Sequence, residues 1–187
     1  MEQPATFSTS STSSAGIGAR GLAAWRRLAP WLALAMGILG VDQGTKAIVR
    51  ARMDLHEIWP AGWEIIRLQH VQNTGAAFGI LQGAGTFLVV ATFIAIVAIT
   101  IFMLTLPSHG RLYHLALSMI LGGAIGNLID RVRLGAVTDF IDPTHYPAFN
   151  IADSAIVVGV LALLALTWFE PTPPAAEEAP AAPEVAS

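Results

Sequence analysis

Four long apolar stretches alternate with polar ones along this chain. They run from Leu28 to about Val49, from Ala84 to Leu106, from Leu112 to Ile129 and from Ile151 to Phe169. A helix that crosses the hydrocarbon core of a bilayer needs about 20 predominantly apolar residues, and each stretch is of that order. The second holds no ionisable residue. The third is interrupted only by His114 near its start and Asn127 near its end. The fourth carries a single charge, Asp153, and the first carries Asp42 and Lys46. The pattern predicts an all-α membrane protein with four transmembrane helices.

The polar segments divide the rest. Between Arg50 and Ala84 the chain is too long for a simple turn. Trp59-Pro60-Ala61-Gly62-Trp63 reads as a turn flanked by aromatics of the kind that sit at a membrane interface. Glu64 to Val71 alternates imperfectly and is rich in β-formers, which predicts a small β-rich segment between helices 1 and 2, lying at the membrane surface. Residues 1–27 form a Ser/Thr-rich head and 170–187 a Pro/Ala/Glu tail, both expected to be disordered. The membrane domain is 28–169. Arg26-Arg27 and Ala33-Leu34-Ala35 resemble the n-region and cleavage site of a signal peptide. The apolar run continues past Ala35, however, and holds the first polar motif, which favours a retained span.

Composition agrees with a membrane class. The chain is 54% hydrophobic and 12% charged, with mean hydropathy +0.60. Soluble domains carry about 25% charged residues. There are no cysteines, so disulfides, thiolate catalysis and cysteine-based zinc sites are excluded. His56, His70, His109, His114 and His145 are scattered, and no pair has metal-ligand spacing. No metal, cofactor or nucleic acid is expected.

Parity brings the polar residues together. In a four-span chain, the end of helix 1, the start of helix 2, the end of helix 3 and the start of helix 4 share one side. Asp42 and Lys46, Asn73, Asn127, Asp130 and Arg131, Asp139, and Asn150 and Asp153 all fall on that side. The distribution of basic residues leaves the orientation open. Lys46, Arg50, Arg52, Arg67, Arg131 and Arg133 lie on the motif face, whereas Arg26-Arg27 before helix 1 favours an inside N-terminus.

A carboxylate at bilayer depth costs roughly 2.5–3.5 kcal/mol on insertion scales. Asp42 and Lys46 are spaced i, i+4 and can form a structural ion pair, or hold substrate. Asp130 stands beside Arg131 and reads as charge-compensated. Asp142 precedes Pro143 and reads as a solvated turn residue. Gly122, Gly123 and Gly126 suit a helix-packing face. Asp139 and Asp153 have no neighbouring cation in sequence. Two carboxylates sharing a poorly solvated site cannot both ionise easily, so one holds a proton. The ionised member can deprotonate water while the protonated one polarises a carbonyl, an arrangement found in aspartic proteases. A helix N-terminus near Asp153 favours its anion. Intramembrane carboxylates also mark proton relays and transporters, but here the ionisable groups crowd one end of the spans.

Five blocks in order resemble the motif set of bacterial lipoprotein signal peptidase (signal peptidase II). They are Asp42-Gln43-Gly44-Thr45-Lys46, Asn73-Thr74-Gly75-Ala76-Ala77-Phe78, Gly122 to Arg131, Val137-Thr138-Asp139-Phe140 and Phe149-Asn150-Ile151-Ala152-Asp153. The resemblance covers Leu28 to Phe169. It implies a membrane aspartic endopeptidase that cuts the signal peptide of a diacylglyceryl-modified prolipoprotein before the lipidated cysteine. Asp139 and Asp153 would be the catalytic pair. Asp42, Lys46, Asn73, Asn127, Asp130, Arg131 and Asn150 would bind substrate or brace the site. It further implies the bacterial inner membrane, a cytoplasmic head and an extracytoplasmic active site. A monomer working among membrane lipids is expected.

Overall fold

The computed structural model describes residues 14–63, 65–75, 84–105 and 110–169, with side chains described from Trp25 onward. The first 13 residues, the tail from 170 and the stretch 76–83, which carries the end of the Asn73–Phe78 block, lie outside the described residues. The elements are α1 (Ser14–Arg52), β1 (Ile58–Trp59), β2 (Ile66–Asn73), α2 (Gly85–Thr105), α3 (Arg111–Leu134), β3 (Val137–Pro143) and α4 (Ile151–Trp168). All four helices contain a segment long and apolar enough to cross a membrane.

One expectation needs correction. The helix α1 begins at Ser14, inside the segment read as a disordered head. Residues 15–24 are Ala, Gly, Leu and Ile with one Arg, and no proline interrupts the chain between Ser14 and Pro30. The helix α3 ends at Leu134, just beyond the Asp130 and Arg131 that were read as closing it.

Packing centres on α3, which touches each of the other three helices. Bulky apolar side chains of α2 face outward, and only Met103 of that helix is buried. That is the pattern of a lipid-facing span, where an apolar surface needs no protein cover. Between the helices, Ala35, Met103, Leu117 and Leu121 form a buried cluster, joined by Trp31, Ile96, Ile125 and Leu163. Helix contact depends on missing side chains. A Cβ on Gly122 would lie 2.6 Å from the Ala35 carbonyl oxygen, and one on Gly123 would overlap the Ala152 carbonyl oxygen. Small residues permit this backbone-to-backbone approach where no hydrophobic drive separates protein from lipid.

The β-rich segment between helices 1 and 2 is present, but it is part of a larger sheet. Antiparallel strands run in the order β1-β2-β3, and β3 comes from the connection between α3 and α4. Gly135 makes this possible. It adopts φ 75 as the left-handed cap of α3, its N–H bonding to the Arg131 carbonyl, a conformation that glycine adopts without a Cβ penalty. The chain then enters β3, where Val71 pairs with Asp139, Gln72 with Thr138 and Asn73 with Val137. The sheet, the C-terminal ends of α1 and α3 and the N-terminus of α4 all meet at one end of the bundle, as the parity argument requires.

Glycine substitutions test this packing. Gly123→Ala should lower the melting temperature in detergent, with an overpacking cost of about 1–3 kcal/mol. Gly44→Ala, where a Cβ meets nothing within 4 Å, should be neutral or raise it, because alanine is the better helix former by roughly 0.5–1 kcal/mol. Equal effects at the two positions would contradict the described α3–α4 contact.

Candidate active site

The site is built outward from a buried ion cluster on α1. Asp42 and Lys46 are both fully buried, and the Lys46 ammonium lies 2.9 Å from Asp42 Oδ2. It also donates to Asn127 Oδ1 at 2.8 Å and lies 3.4 Å from Asp130 Oδ2. The i, i+4 pairing was legible in the sequence. The reach to α3 was not. Asp42 in turn accepts the Ala152 N–H at 3.0 Å, which ties α1 to the first turn of α4. The Gln43 amide donates toward Asp42 Oδ2 at 3.1 Å, the Gly126 carbonyl at 3.1 Å and Asp130 Oδ1 at 3.2 Å.

Among the described residues Asp130 makes no ion pair or hydrogen bond with Arg131. Its partners are Lys46, Arg50 at 3.6 Å and the Thr138 N–H at 3.0 Å. Consecutive helical residues point about 100° apart, so Asp130 faces α1 while Arg131 turns toward the sheet. Arg131 donates through Nη2 to the Gly75 carbonyl at 3.1 Å. Its buried Nε has no hydrogen-bond partner among the described residues.

Two asparagines carry the polarity of the cluster to the other carboxylates. Asn127 accepts from Lys46 and donates to Asp153 Oδ1 at 2.7 Å. Asn150 is fully buried and caps α4. Its Oδ1 accepts the Asp153 N–H at 2.9 Å, and its own N–H reaches Asp153 Oδ2 at 3.3 Å, a reciprocal capping box. The Asn150 amide nitrogen donates to Asp139 Oδ1 at 2.6 Å. One side chain therefore touches both Asp139 and Asp153. Asn73, on β2, donates to Asp139 Oδ2 at 3.0 Å, and its Oδ1 accepts the Gly75 N–H at 3.0 Å. All nine residues singled out from the sequence converge on this end of the bundle.

Asp139 is 2% exposed. Burial, reinforced by the negative charge of Asp153, pushes its carboxyl up to about 7, against the pull of the Asn73 and Asn150 hydrogen bonds. Beside it lies a cavity of about 880 Å³. Its polar wall includes Asn73, Asn127, Arg131, Asp139 and Asp153, and its apolar wall includes Val71, Phe149, Ile156 and Val157. Such a space is large enough for an extended peptide segment. Among the described residues no group of three His, Cys, Asp or Glu side chains has the arrangement of a metal site.

Asp142 also departs from expectation. It is buried, it lies in β3 rather than a solvated turn, and it forms an ion pair with Arg67 across the β2–β3 ladder. Pro143 ends the strand, which local turn chemistry alone does not distinguish from a loop. Arg50, Gln43 and Thr138 were not singled out from the sequence. Arg50 repeats the i, i+4 step from Lys46, and that spacing was the signal available.

Comparisons with known proteins cover the same stretch. Residues 34–169 match the family described as signal peptidase (SPase) II. A lipoprotein signal peptidase of Syntrophotalea carbinolica is 44% identical over 144 residues, 73% of this chain and 89% of the relative. One from Caldanaerobacter subterraneus subsp. tengcongensis is 45% identical over 134 residues, 71% of this chain and 92% of the relative. Two solved structures described as bacterial membrane enzymes are similar in fold. One has a TM-score of 0.72 at 32% identity, covering 75% of this chain and 88% of its own. The other has a TM-score of 0.70 at 31% identity, covering 77% and 96%. The matched region holds the sheet, three whole spans and most of the first, and the chain belongs to the signal peptidase (SPase) II family.

Proposed function

We propose that this multi-pass membrane protease removes the signal peptide from diacylglyceryl-modified prolipoproteins by aspartic catalysis, cutting before the lipidated cysteine. One observation carries the catalytic assignment: Asn150 joins Asp139 and Asp153 at the wall of a cavity that peptide can enter. Family membership supplies the substrate class.

The roles follow from what each carboxylate touches. Asp153 stands in the first turn of α4, where the helix dipole favours negative charge, and receives N–H donors from Asn127 and Asn150. It is the general base. Asp139 holds the shared proton and hydrogen-bonds the scissile carbonyl. Asp153 removes a proton from water as the water oxygen bonds to the carbonyl carbon. Asp139 gives its proton to the developing oxyanion. As the C–N bond breaks, the proton on Asp153 passes to the leaving nitrogen and the proton on the tetrahedral hydroxyl returns to Asp139. The products are a carboxylic acid on the signal peptide, which loses its proton to water, and a free amine on the lipidated cysteine. A proton relay through the membrane is disfavoured, because α2 contains no ionisable residue and the polar groups gather at one end.

The N-terminus is assigned to the cytoplasm, with Arg26-Arg27 on the inside, and the site to the outer face of the inner membrane. Lipid acyl chains of the substrate remain in the bilayer while the peptide enters the cavity.

Purified protein mixed with a diacylglyceryl-modified prolipoprotein should release the signal peptide. The same precursor without the diacylglyceryl group should be cut far more slowly. Asp139→Asn and Asp153→Asn should each lower turnover by about 10²–10⁴-fold, the contribution of one general acid or base, with the protein still folded. Comparable rates on both precursors, or near-normal turnover in either variant, would remove the corresponding part of the assignment.

The rate should also depend on pH with a defined sign. Asp139 keeps its proton below about 7 and loses it above. Two adjacent anions then replace the acid–base pair, so kcat should fall as pH rises through that range. The Asn73 hydrogen bond favours the charged form. Asn73→Leu should therefore move the alkaline fall to higher pH, read from a pH profile of kcat. A shift to lower pH would reverse the roles of the two carboxylates.

Topology is testable apart from catalysis. Reporter fusions after Thr105 and after Phe169 should report cytoplasm, and fusions at Asp54 and Thr144 should report the outside. Opposite sides for positions 54 and 144 would separate the halves of the site.

A further inference from the structure

Thr138 precedes Asp139 and is fully buried. Each of its polar groups is tied to a different helix. Its N–H donates to Asp130 Oδ2 of α3 at 3.0 Å. Its carbonyl accepts from Asn150, the cap of α4, at 3.4 Å. Its hydroxyl accepts from Arg50 Nη1 of α1 at 2.9 Å. Successive strand residues point to opposite faces, so Asp139 lines the cavity while Thr138 faces the helices. Arg50 is not among the cavity-lining residues. Its other partner is Asp130, which holds the same Thr138 from its backbone side. A guanidinium presents a rigid fork of donors and stays charged, which suits it to hold two acceptors at fixed separation.

We infer that Arg50 is a positioning residue for peptide hydrolysis, acting through the Thr138 hydroxyl and the Asp130 carboxylate to fix the stretch of β3 that carries Asp139. The inference rests on the reading of Asp139 as catalytic. The chain of contacts is Arg50 to Thr138 to Asp139, with α1 as the rigid support. Its consequence is kinetic. A carboxylate displaced by about 1 Å can cost about 10²-fold in rate, while a cavity that Arg50 does not touch keeps its affinity for substrate.

The test uses the full chain in detergent, cleaving a diacylglyceryl-modified prolipoprotein, with melting temperature recorded for every variant. Arg50→Met and Thr138→Val should each lower kcat about tenfold, the scale of one lost charge-assisted hydrogen bond, with KM within about twofold of the parent. The double variant should be no slower than the slower single one, since both substitutions remove the same bond. Arg50→Lys should recover part of kcat. Thr138→Val keeps the side-chain volume and both backbone hydrogen bonds, so the inference stays testable if Arg50→Met does not fold. Unchanged kcat in Thr138→Val, losses that multiply in the double variant, or a rise in KM at constant kcat would each overturn it. Asp139→Asn in the same assay separates the two readings. If it is inactive while Thr138→Val is normal, only the role of Arg50 fails; if it is active, the catalytic assignment fails as well.

Discussion

The buried ammonium of Lys46 is the interaction on which the site depends. It has three hydrogens to donate, and three acceptors surround it: Asp42 on its own helix, and Asn127 and Asp130 on α3. A charge taken out of water costs several kcal/mol unless attraction and hydrogen bonds offset it. Here the offset can be reached only if α1 and α3 approach in one register. Gly126 permits that approach, because a Cβ there would lie 2.5 Å from Asp42 Oδ2. The ion cluster and the glycine face are thus one device, and breaking either leaves an unpaired charge in the core.

Charge balance then accounts for the proposed proton sharing. The carboxylates of Asp42, Asp130, Asp139 and Asp153 face the cations Lys46, Arg50 and Arg131. The cluster is short of one positive charge, and a single bound proton supplies it. The groups that touch Asp139 directly are neutral asparagines. A lysine or arginine in their place would favour the anion strongly and strip the proton. Asparagine can orient a carboxyl group without committing it to one protonation state, which an acid–base pair requires.

Much of this was legible in the sequence, and the failures have physical causes. The spans follow from apolar length, and the convergence of motifs on one end follows from parity alone. The Asp42–Lys46 pair is local, so its spacing revealed it. Asp130 was matched to the wrong cation because adjacency in sequence was mistaken for adjacency in space. On a helix the next residue points elsewhere, and the true partners stand on α1. The third strand was invisible for a similar reason. Val137 to Pro143 becomes a strand by pairing with β2, far earlier in the chain, and Asp142 is buried only once Arg67 lies opposite it. Long-range pairing of this kind leaves no periodic trace in a seven-residue segment.

Placement at the ends of the helices resolves a conflict built into the proposed chemistry. Proton sharing between carboxylates needs a poorly solvated environment, whereas hydrolysis needs water and a peptide that carries lipid. Deep in the bundle the first condition would hold and the second fail; on an open surface the reverse. Asp153 sits in the first turn of α4 and Asp139 on a strand laid across the helix ends, so Asp139 is buried, Asp153 is half-buried, and both border a cavity. The apolar wall of that cavity, with Ile156 and Val157, continues down α4 toward exposed Val160, Leu161 and Leu164. On the proposed function, a substrate anchored by acyl chains can follow this surface without leaving the bilayer. The bilayer already provides most of the lipid's binding energy, at about 0.8 kcal/mol per buried CH₂. The protein's polar contacts can then be used to align the peptide bond rather than to hold the substrate.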